Sequence, residues 1–579
     1  MKLRSLTVQS FRAINGNANT IKFDGANIIF VFGQNDLGKS SFLRAYEYFV
    51  APKKKASLSD FHKYDVRNPI IMEAVFDKEA GDDKNFQKKG FDKWVLEDNT
   101  IRFRKIWNQP DTEGQKETFS PEMGEYTKDG FGGLETYLTK AAPTPISIPA
   151  MPTPNDLEKW VTDVLKKKVL KSLSEDSAIA YQEAIDKLEI LQSEIESREL
   201  IQGIALNANM SFQQVFPELE LSISPEPGHK IDISKALEKE FNVAIQRSTC
   251  EEESSENNKS SFNSHGHGVI RQAMFNFLGL SENNISNTAD ENVSKEYIIL
   301  FEEPELYLHP KRIRLLKDTL YQLCTNSKFQ MLCVSHNPQL IDLSKPHTTL
   351  ARIIKLGDGK TEIHQVGEDI FASNEEYRNK ILMLNRFNPH LCETFFADEV
   401  ILVEGDTEAI VLRELLNIHF PTRDIFVLNT GTKNNMPFFM DILTHFRIKH
   451  HIIHDSDCRY QYEKDGTVKR KKDGTPKANS SWTLNDTIWT KVLEANSIEK
   501  ELCKRFVSVQ NFEDAHGYSH DTTKGKPWSA YEYAQELNLE SDASIVYFLK
   551  CIANNIKLEN EFTPEYLENI VIERYQEVG

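Results

Sequence analysis

The stretch Ile28 to Ala45, IIFVFGQNDLGKSSFLRA, constrains the fold more than any other part of this chain. Its apolar run, Ile28 to Phe32, reads as a fully buried strand. Gly33 then opens a G-x-x-x-x-G-K-S pattern that closes on Gly38, Lys39 and Ser40, and Ser41 to Phe49 continues as a helix. Glycines there let backbone N–H groups turn inward around a polyphosphate. Lys39 can reach the terminal phosphates, and the Ser40 hydroxyl can hold Mg2+. Gly33, Asn35, Gly38, Lys39, Ser40 and Ser41 are therefore candidates for binding ATP. A strand feeding a helix through such a loop places the chain in the α/β class.

A chain of 579 residues is too long for one core, so two to four domains are expected. No run of about 18 apolar residues marks a membrane span, and MKLRSLTVQSF alternates like a strand and not like a signal peptide. The seven cysteines include no C-x-x-C pair, which argues against structural zinc and a disulfide framework and for a reducing cytoplasm. The formal net charge of −18 is not the footprint of a protein that coats nucleic acid. A DNA enzyme of this charge needs a local basic groove, and metal ions to neutralise its acidic site.

Further along, Ala141 to Pro154 is Pro-rich and reads as a surface connection. Tyr181, Ala184, Leu188, Leu191 and Ile195 follow a helical spacing. It suits a short hairpin or dimer contact, or equally a helix packed on its own domain. Residues 250–263 are polar, acidic and expected to lack structure. Ser264 to Gly268 precede a helix whose N-terminus suits an anion, although an ordinary turn accounts for them equally. Then Ile298 to Phe301 forms a buried strand ending in Glu302 and Glu303. Beside a phosphate site, Glu302 can order the Mg2+ shell and Glu303 can orient or deprotonate water. A second strand, in MLCVSHNP, ends at His336, which can sense a terminal phosphate by hydrogen bonding.

Through Gly33–Ser41, Glu302–Glu303 and His336 the chain resembles the ATP-binding-cassette ATPases, in the branch shared with chromosome-organising proteins. It departs from them in having Glu302 where most have Asp, and in lacking L-S-G-G-Q, for which Ser264–Gly268 is the nearest candidate. The resemblance implies two heads that sandwich ATP, hence a homodimer or higher oligomer.

The last third carries a different pattern. Val400 to Val403 is a strand ending in Glu404-Gly405, with Glu408 on the first turn of the helix that follows. Asp455 and Asp457 close a later strand, and Glu513 follows another. Acids two apart on a strand share a face. Oxygen ligands from several strand ends suit Mg2+, Mn2+ or Ca2+, in numbers sufficient for two ions about 4 Å apart, as in phosphodiester cleavage. Directly afterwards, Lys469, Arg470, Lys471 and Lys472 form the densest basic loop, a candidate grip on DNA phosphates or else a solubilising loop.

Glutamate after the first strand, glycine after the second and D-x-D after the third resemble the Toprim fold. ATPase first and Toprim last resembles the overcoming-lysogenisation-defect (OLD) nucleases, which include the large subunit of the Gabija antiphage system and retron-associated effectors. The resemblance implies Glu404, Glu408, Asp455, Asp457 and Glu513 as metal ligands. It also implies a catalytic lysine after the last acid, Lys526 or, second, Lys524, to stabilise charge on the phosphate.

The expected architecture is an ABC-type ATPase head in two parts (1–150 and 216–385), an inserted helical dimerisation segment (151–215) and a C-terminal Toprim domain (386–579). The expected function is an ATP-regulated, divalent-metal-dependent DNA endonuclease in bacterial antiphage defence. Its expected companion is a UvrD-like helicase, or a retron reverse transcriptase with its RNA–DNA product. The alternative is a scaffolding or signalling ATPase whose Toprim domain only binds a partner or nucleic acid. A topoisomerase or primase would need a tyrosine-bearing winged helix or a zinc module, and neither is recognised here.

Overall fold

The computed structural model describes residues 1–151, 209–225, 241–247, 259–261, 268–273, 296–366 and 389–575, with short breaks inside these spans. Asn35, the Tyr181–Ile195 stretch and its dimerisation role, and Ser264 to His267 lie outside the described residues. The chain divides into two units, Met1–Asp342 with Thr348–Ile363 and Leu343–His347 with His364–Gly579.

The first unit begins with β1 (Lys2–Gln9), β2 (Asn19–Lys22), β3 (Ile28–Phe32), α1 (Lys39–Val50), β4 (Ile70–Asp77), β5 (Thr100–Trp107), β6 (Gln115–Ser120), β7 (Glu125–Thr127) and β8 (Thr144–Ile148). It continues with β9 (Leu219–Pro225), β10 (Phe241–Arg247), β11 (Lys259–Ser261), β12 (Tyr297–Glu302), α2 (Pro310–Leu323), β13 (Phe329–Val334), β14 (Leu350–Lys355) and β15 (Thr361–Gln365). Two six-stranded sheets result. One is antiparallel, in the order β2-β1-β4-β5-β6-β7, and the other runs β15-β14-β3-β13-β12-β8. In the second sheet β3 lies between β13 and β14, parallel to both. Every residue of β3 is buried, as a central parallel strand covered on two faces requires. By contrast β4 alternates, with Ile70, Met72, Ala74 and Phe76 buried.

Phe42, Leu43, Ala45, Tyr46 and Phe49 of α1 share one core with β1, β3, β4 and β5. Burying a side chain of Phe size stabilises by roughly 1.5–3 kcal/mol, so this core fixes the helix and the loop before it. Two buried polar groups add register. Gln330 of β13 accepts from Leu3 N (2.9 Å) and donates to Leu3 O (2.7 Å), stitching the sheets together. Lys105 donates to the carbonyls of Ala51 (2.6 Å) and Tyr48 (3.4 Å) at the C-terminus of α1. The strands β9, β10 and β11 form a separate antiparallel sheet. Lys259–Ser261 therefore pairs as an edge strand, although its polar surroundings predict no structure.

The second unit is built on β16 (Glu399–Val403), β17 (Ile425–Asn429), β18 (Lys449–Asp455) and β19 (Cys503–Ser508), all parallel, in the order β17-β16-β18-β19. Its helices include α3 (Asp406–His419), α4 (Met436–His445), α5 (Ser480–Ile498), α6 (Lys526–Glu536) and α7 (Ser544–Ala553). Residues of α3, α6 and α7 share a core with β16 and β19. Strands that all run one way bring their C-terminal ends to one edge, where open α/β sheets carry their sites. Among the described residues no helix is long and apolar enough to cross a membrane.

Candidate functional site

The phosphate loop links β3 to α1. Gly38 is left-handed (φ 92°) and precedes the first turn of α1, which has no capping side chain, and Ser41 N donates to Gly38 O (2.9 Å). Gly33 has φ 148°, and a Cβ there would lie 2.3 Å from the carbonyl oxygen of Ile353 on β14. Gly33→Ala is therefore expected to destabilise the protein by about 2–4 kcal/mol and to weaken ATP binding together with it. Thermal unfolding and ATP titration of the variant check this.

Lys39 is 4% exposed, and its Nζ donates to the carbonyls of Gly33 (2.8 Å) and Gln34. Burial lowers its pKa to about 8, against the opposing charges of Glu303, Asp36 and Glu305. Ser41 is buried, while Ser40 and Glu302 are partly exposed. Glu303 sits just beyond β12 with φ 44°, a sparsely populated conformation. His336 Nε2 lies 3.6 Å from Glu303. Burial and the Lys39 charge push the His336 ring down to about 4, so it is neutral at pH 7 and the approach is a polar contact, not an ion pair. Lys39 at the start of α1, Glu303 just beyond β12 and His336 just beyond β13 thus stand within electrostatic reach of one another.

Sequence reasoning missed Glu305. It accepts from Ser335 Oγ (2.9 Å) and from His336 N (2.9 Å), and so ties the end of β12 to the end of β13. Burial raises its pKa, and the neighbouring Glu303 adds to the shift.

The second unit offers a contrast within one sheet. At the N-terminal end of β16, buried Glu399 is met by Arg423 (2.8 Å), His451 (2.8 Å) and Lys449 (3.2 Å). Although burial pushes the other way, His451 and Lys449 hold its carboxyl down to about 2. That is a structural charge, fully satisfied. At the C-terminal end the acids are less fully paired, and among the described residues Lys433 meets Asp457 (2.7 Å). Glu404 follows β16, and its Oε1 accepts from Asp455 N at 2.8 Å. Burial raises Glu404 to about 7, with the charges of Asp457 and Glu408 adding to the push. Burial, then Glu404, Glu408 and Asp457, raises Asp455 to about 9. Glu408, on the first turn of α3, is raised by burial and by Glu513. The structure therefore brings Glu404, Glu408, Asp455, Asp457 and Glu513 within electrostatic reach of one another. Among the described residues, no three such side chains already converge as a finished chelate. The donor set nevertheless fits a hard divalent cation: all oxygen, with Glu408 buried, Glu404, Asp455 and Asp457 half-buried and Glu513 exposed.

Lys526 is exposed at the start of α6, and among the described residues its side chain makes no hydrogen bond or ion pair. Lys524 pairs with Glu532 at 2.8 Å. The ammonium found among the acids belongs to Lys433, beyond β17. It is 4% exposed, with Nζ 2.7 Å from Asp457 Oδ2.

The basic stretch is not a plain loop. Lys464-Asp465-Gly466-Thr467 recurs as Lys472-Asp473-Gly474-Thr475. Asp465 and Asp473 each accept from the N and Oγ1 of the threonine two residues on, which makes two matching turns. The three short runs they connect close on themselves: Lys469 N donates to Gln461 O, Lys477 N to Lys469 O, and Gln461 N to Lys477 O, at 2.7–2.9 Å. Arg470, Lys471 and Lys472 are exposed on this knob and Lys469 is partly so.

Residues 395–457 match the Toprim domain of overcoming lysogenization defect protein-like proteins, and 147–341 match an AAA ATPase domain. The first match contains Glu404, Glu408, Asp455 and Asp457. The second contains Glu302, Glu303 and His336 but starts after the phosphate loop. The Old nuclease of Escherichia phage P2 is 24% identical over 488 residues, 79% of this chain and 77% of that one. The endonuclease GajA of Bacillus cereus is 22% identical over 497 residues, 81% and 77%. The OLD nuclease of Thermus scotoductus is 25% identical over 184 residues, 31% and 35%. Among solved structures, an Smc head bound to the C-terminal winged-helix domain of ScpA matches at TM-score 0.38 and 12% identity, covering 63% of this chain and 98% of that one. That likeness is too low to add to what the sheets themselves show. The chain thus carries a stretch matching an AAA ATPase domain followed by one matching an OLD-like Toprim domain, and over most of its length it is similar to proteins named as nucleases, Old and GajA.

Proposed function

We propose that the protein is a divalent-metal-dependent DNA endonuclease whose cleavage is controlled by ATP at the first unit, acting in antiphage defence as a homodimer or larger oligomer with a companion protein. The observation that carries this reading is the row of acids at the C-terminal edge of the second sheet. Unlike that of Glu399, the carboxyls of Glu404, Glu408 and Asp455 are pushed upward by burial and by neighbouring acids, and a cation would let them ionise together. Glu404, Glu408, Asp455, Asp457 and Glu513 would hold Mg2+ or Mn2+, in one site or two. The ion would supply Lewis-acid stabilisation of the phosphate undergoing cleavage. The chain's own groups do the rest. Glu404 and the Asp455 N–H fix the two strand ends against each other, and the knob offers cations to the DNA backbone. Names of relatives support the nuclease reading, and GajA supports the defence role.

Nicking of supercoiled plasmid with Mg2+ or Mn2+, by the wild type against a Glu404 variant, tests it. A folded protein that binds DNA but never nicks it favours the scaffolding alternative. Replacing Lys469, Arg470, Lys471 and Lys472 by serine is expected to weaken DNA binding and to flatten its log–log salt slope by about 3. An unchanged slope removes the knob from the interface.

A further inference from the structure

The rear acids already hold one positive charge. Lys433 opens the short turn Lys433–Asn435 after β17. The turn is pinned: Thr430 N and Oγ1 both donate to Val403 O at 2.9 Å, and Asn435 Nδ2 donates to Thr430 O at 2.9 Å. From that anchored backbone the ammonium reaches the D-x-D turn. There it donates to the carbonyl of Asp455 and to Asp457 Oδ2 (2.7 Å), and lies 3.5 Å from Ser456 O. The turn it grips is itself unusual, with Asp457 at φ 60°. The contacts made are those of a cation: one carboxylate and backbone carbonyls, made by a buried ammonium to a carboxylate that is one-third exposed.

We propose that Lys433 is the resident cation of the acidic centre, holding Asp457 until a divalent ion displaces the ammonium from it. This rests on the reading of the centre as a metal site. Two physical consequences follow. The lysine lowers divalent-ion affinity, because like charges repel at short range in a poorly solvated site. Once displaced, it remains tethered beside the centre as a cation available to a phosphate. The same opposing charge already resists the upward push on Glu404 and Asp455.

The test is calorimetric titration of Mn2+ into the full chain, without nucleotide or DNA, for the wild type, Lys433→Met, Lys433→Arg and Glu404→Gln, with thermal unfolding as the check on folding. Lys433→Met is expected to bind Mn2+ about tenfold or more tighter than the wild type, and the charge-keeping Lys433→Arg to stay within about threefold of it. A lysine that merely held the fold would lower stability and Mn2+ affinity together. Should Lys433→Met fail to fold, Lys433→Gln, which keeps a donor without the charge, takes its place with the same expected gain. If Glu404→Gln loses the Mn2+ signal while the neutral Lys433 variant binds no tighter than the wild type, the role of Lys433 is overturned alone. If Glu404→Gln titrates like the wild type, the metal reading and this proposal both fall.

Discussion

The Glu404→Gln protein is expected to nick plasmid about a thousandfold or more slowly than the wild type, and yet to be more stable than the wild type in EDTA at pH 8.5. Glutamine keeps an Oε1 acceptor for Asp455 N, so the strand ends stay in register, but it removes one of the charges that would attract a divalent ion. The stability gain follows from the raised pKa. An unfolded glutamate titrates near 4.5, and burial with neighbouring carboxylates raises Glu404 to about 7. The native protein therefore binds more protons than the unfolded chain between these values. The stability contributed by the protonated group is complete below about 4.5 and is lost as pH rises through about 7. The loss amounts to roughly 3 kcal/mol at most. Glutamine never ionises, so the variant escapes it. Calorimetry in EDTA should show the variant's advantage at pH 8.5 shrinking towards pH 5, and Mn2+ should raise the wild-type midpoint more than the variant's. A variant that nicks at the wild-type rate would remove Glu404 from the metal site.

Features contained in one strand–turn–helix unit were legible in the sequence, because composition and order alone specify them. Ile28–Phe32 with Gly33–Ser40 is one such unit, and Val400–Val403 with Glu404, Gly405 and Glu408 is another. Features made by side chains that meet across strands were not. Lys433 is one of 69 lysines and arginines, and its partners lie a whole helix and strand further on. The one available signal was its place just after the glycine that follows the second strand. Position after the last acid points to Lys526 and Lys524, both at the surface. Glu305 was hidden by its neighbours, since the two acids before it already account for a nucleotide site. That Ser335 and His336 need a partner emerges only when β12 and β13 are seen side by side. The knob is a different case. Its duplicated Lys-Asp-Gly-Thr was visible throughout, and two equal Asp-Gly turns imply short paired runs and not an open loop.

Replacing Lys39 by alanine is expected to lower ATP affinity about a hundredfold or more and to make plasmid nicking insensitive to ATP. The ammonium now rests on the loop's own carbonyls, positioned to exchange those partners for phosphate oxygens in charge-assisted bonds. Without it, a polyphosphate would meet Asp36, Glu303 and Glu305 without the cation that now faces them. Global stability should move by no more than about 1 kcal/mol, because removing a buried ammonium relieves its desolvation as it removes its bonds. One further consequence is local. The Lys39 charge, after burial, is what holds His336 near 4, so the His336 pKa should rise in the variant while staying below that of an exposed histidine. NMR titration of the His336 ring measures that shift independently of any nuclease assay. If the ring does move, ATP binding is lost and nicking still responds to ATP as in the wild type, then nucleotide control does not pass through this loop.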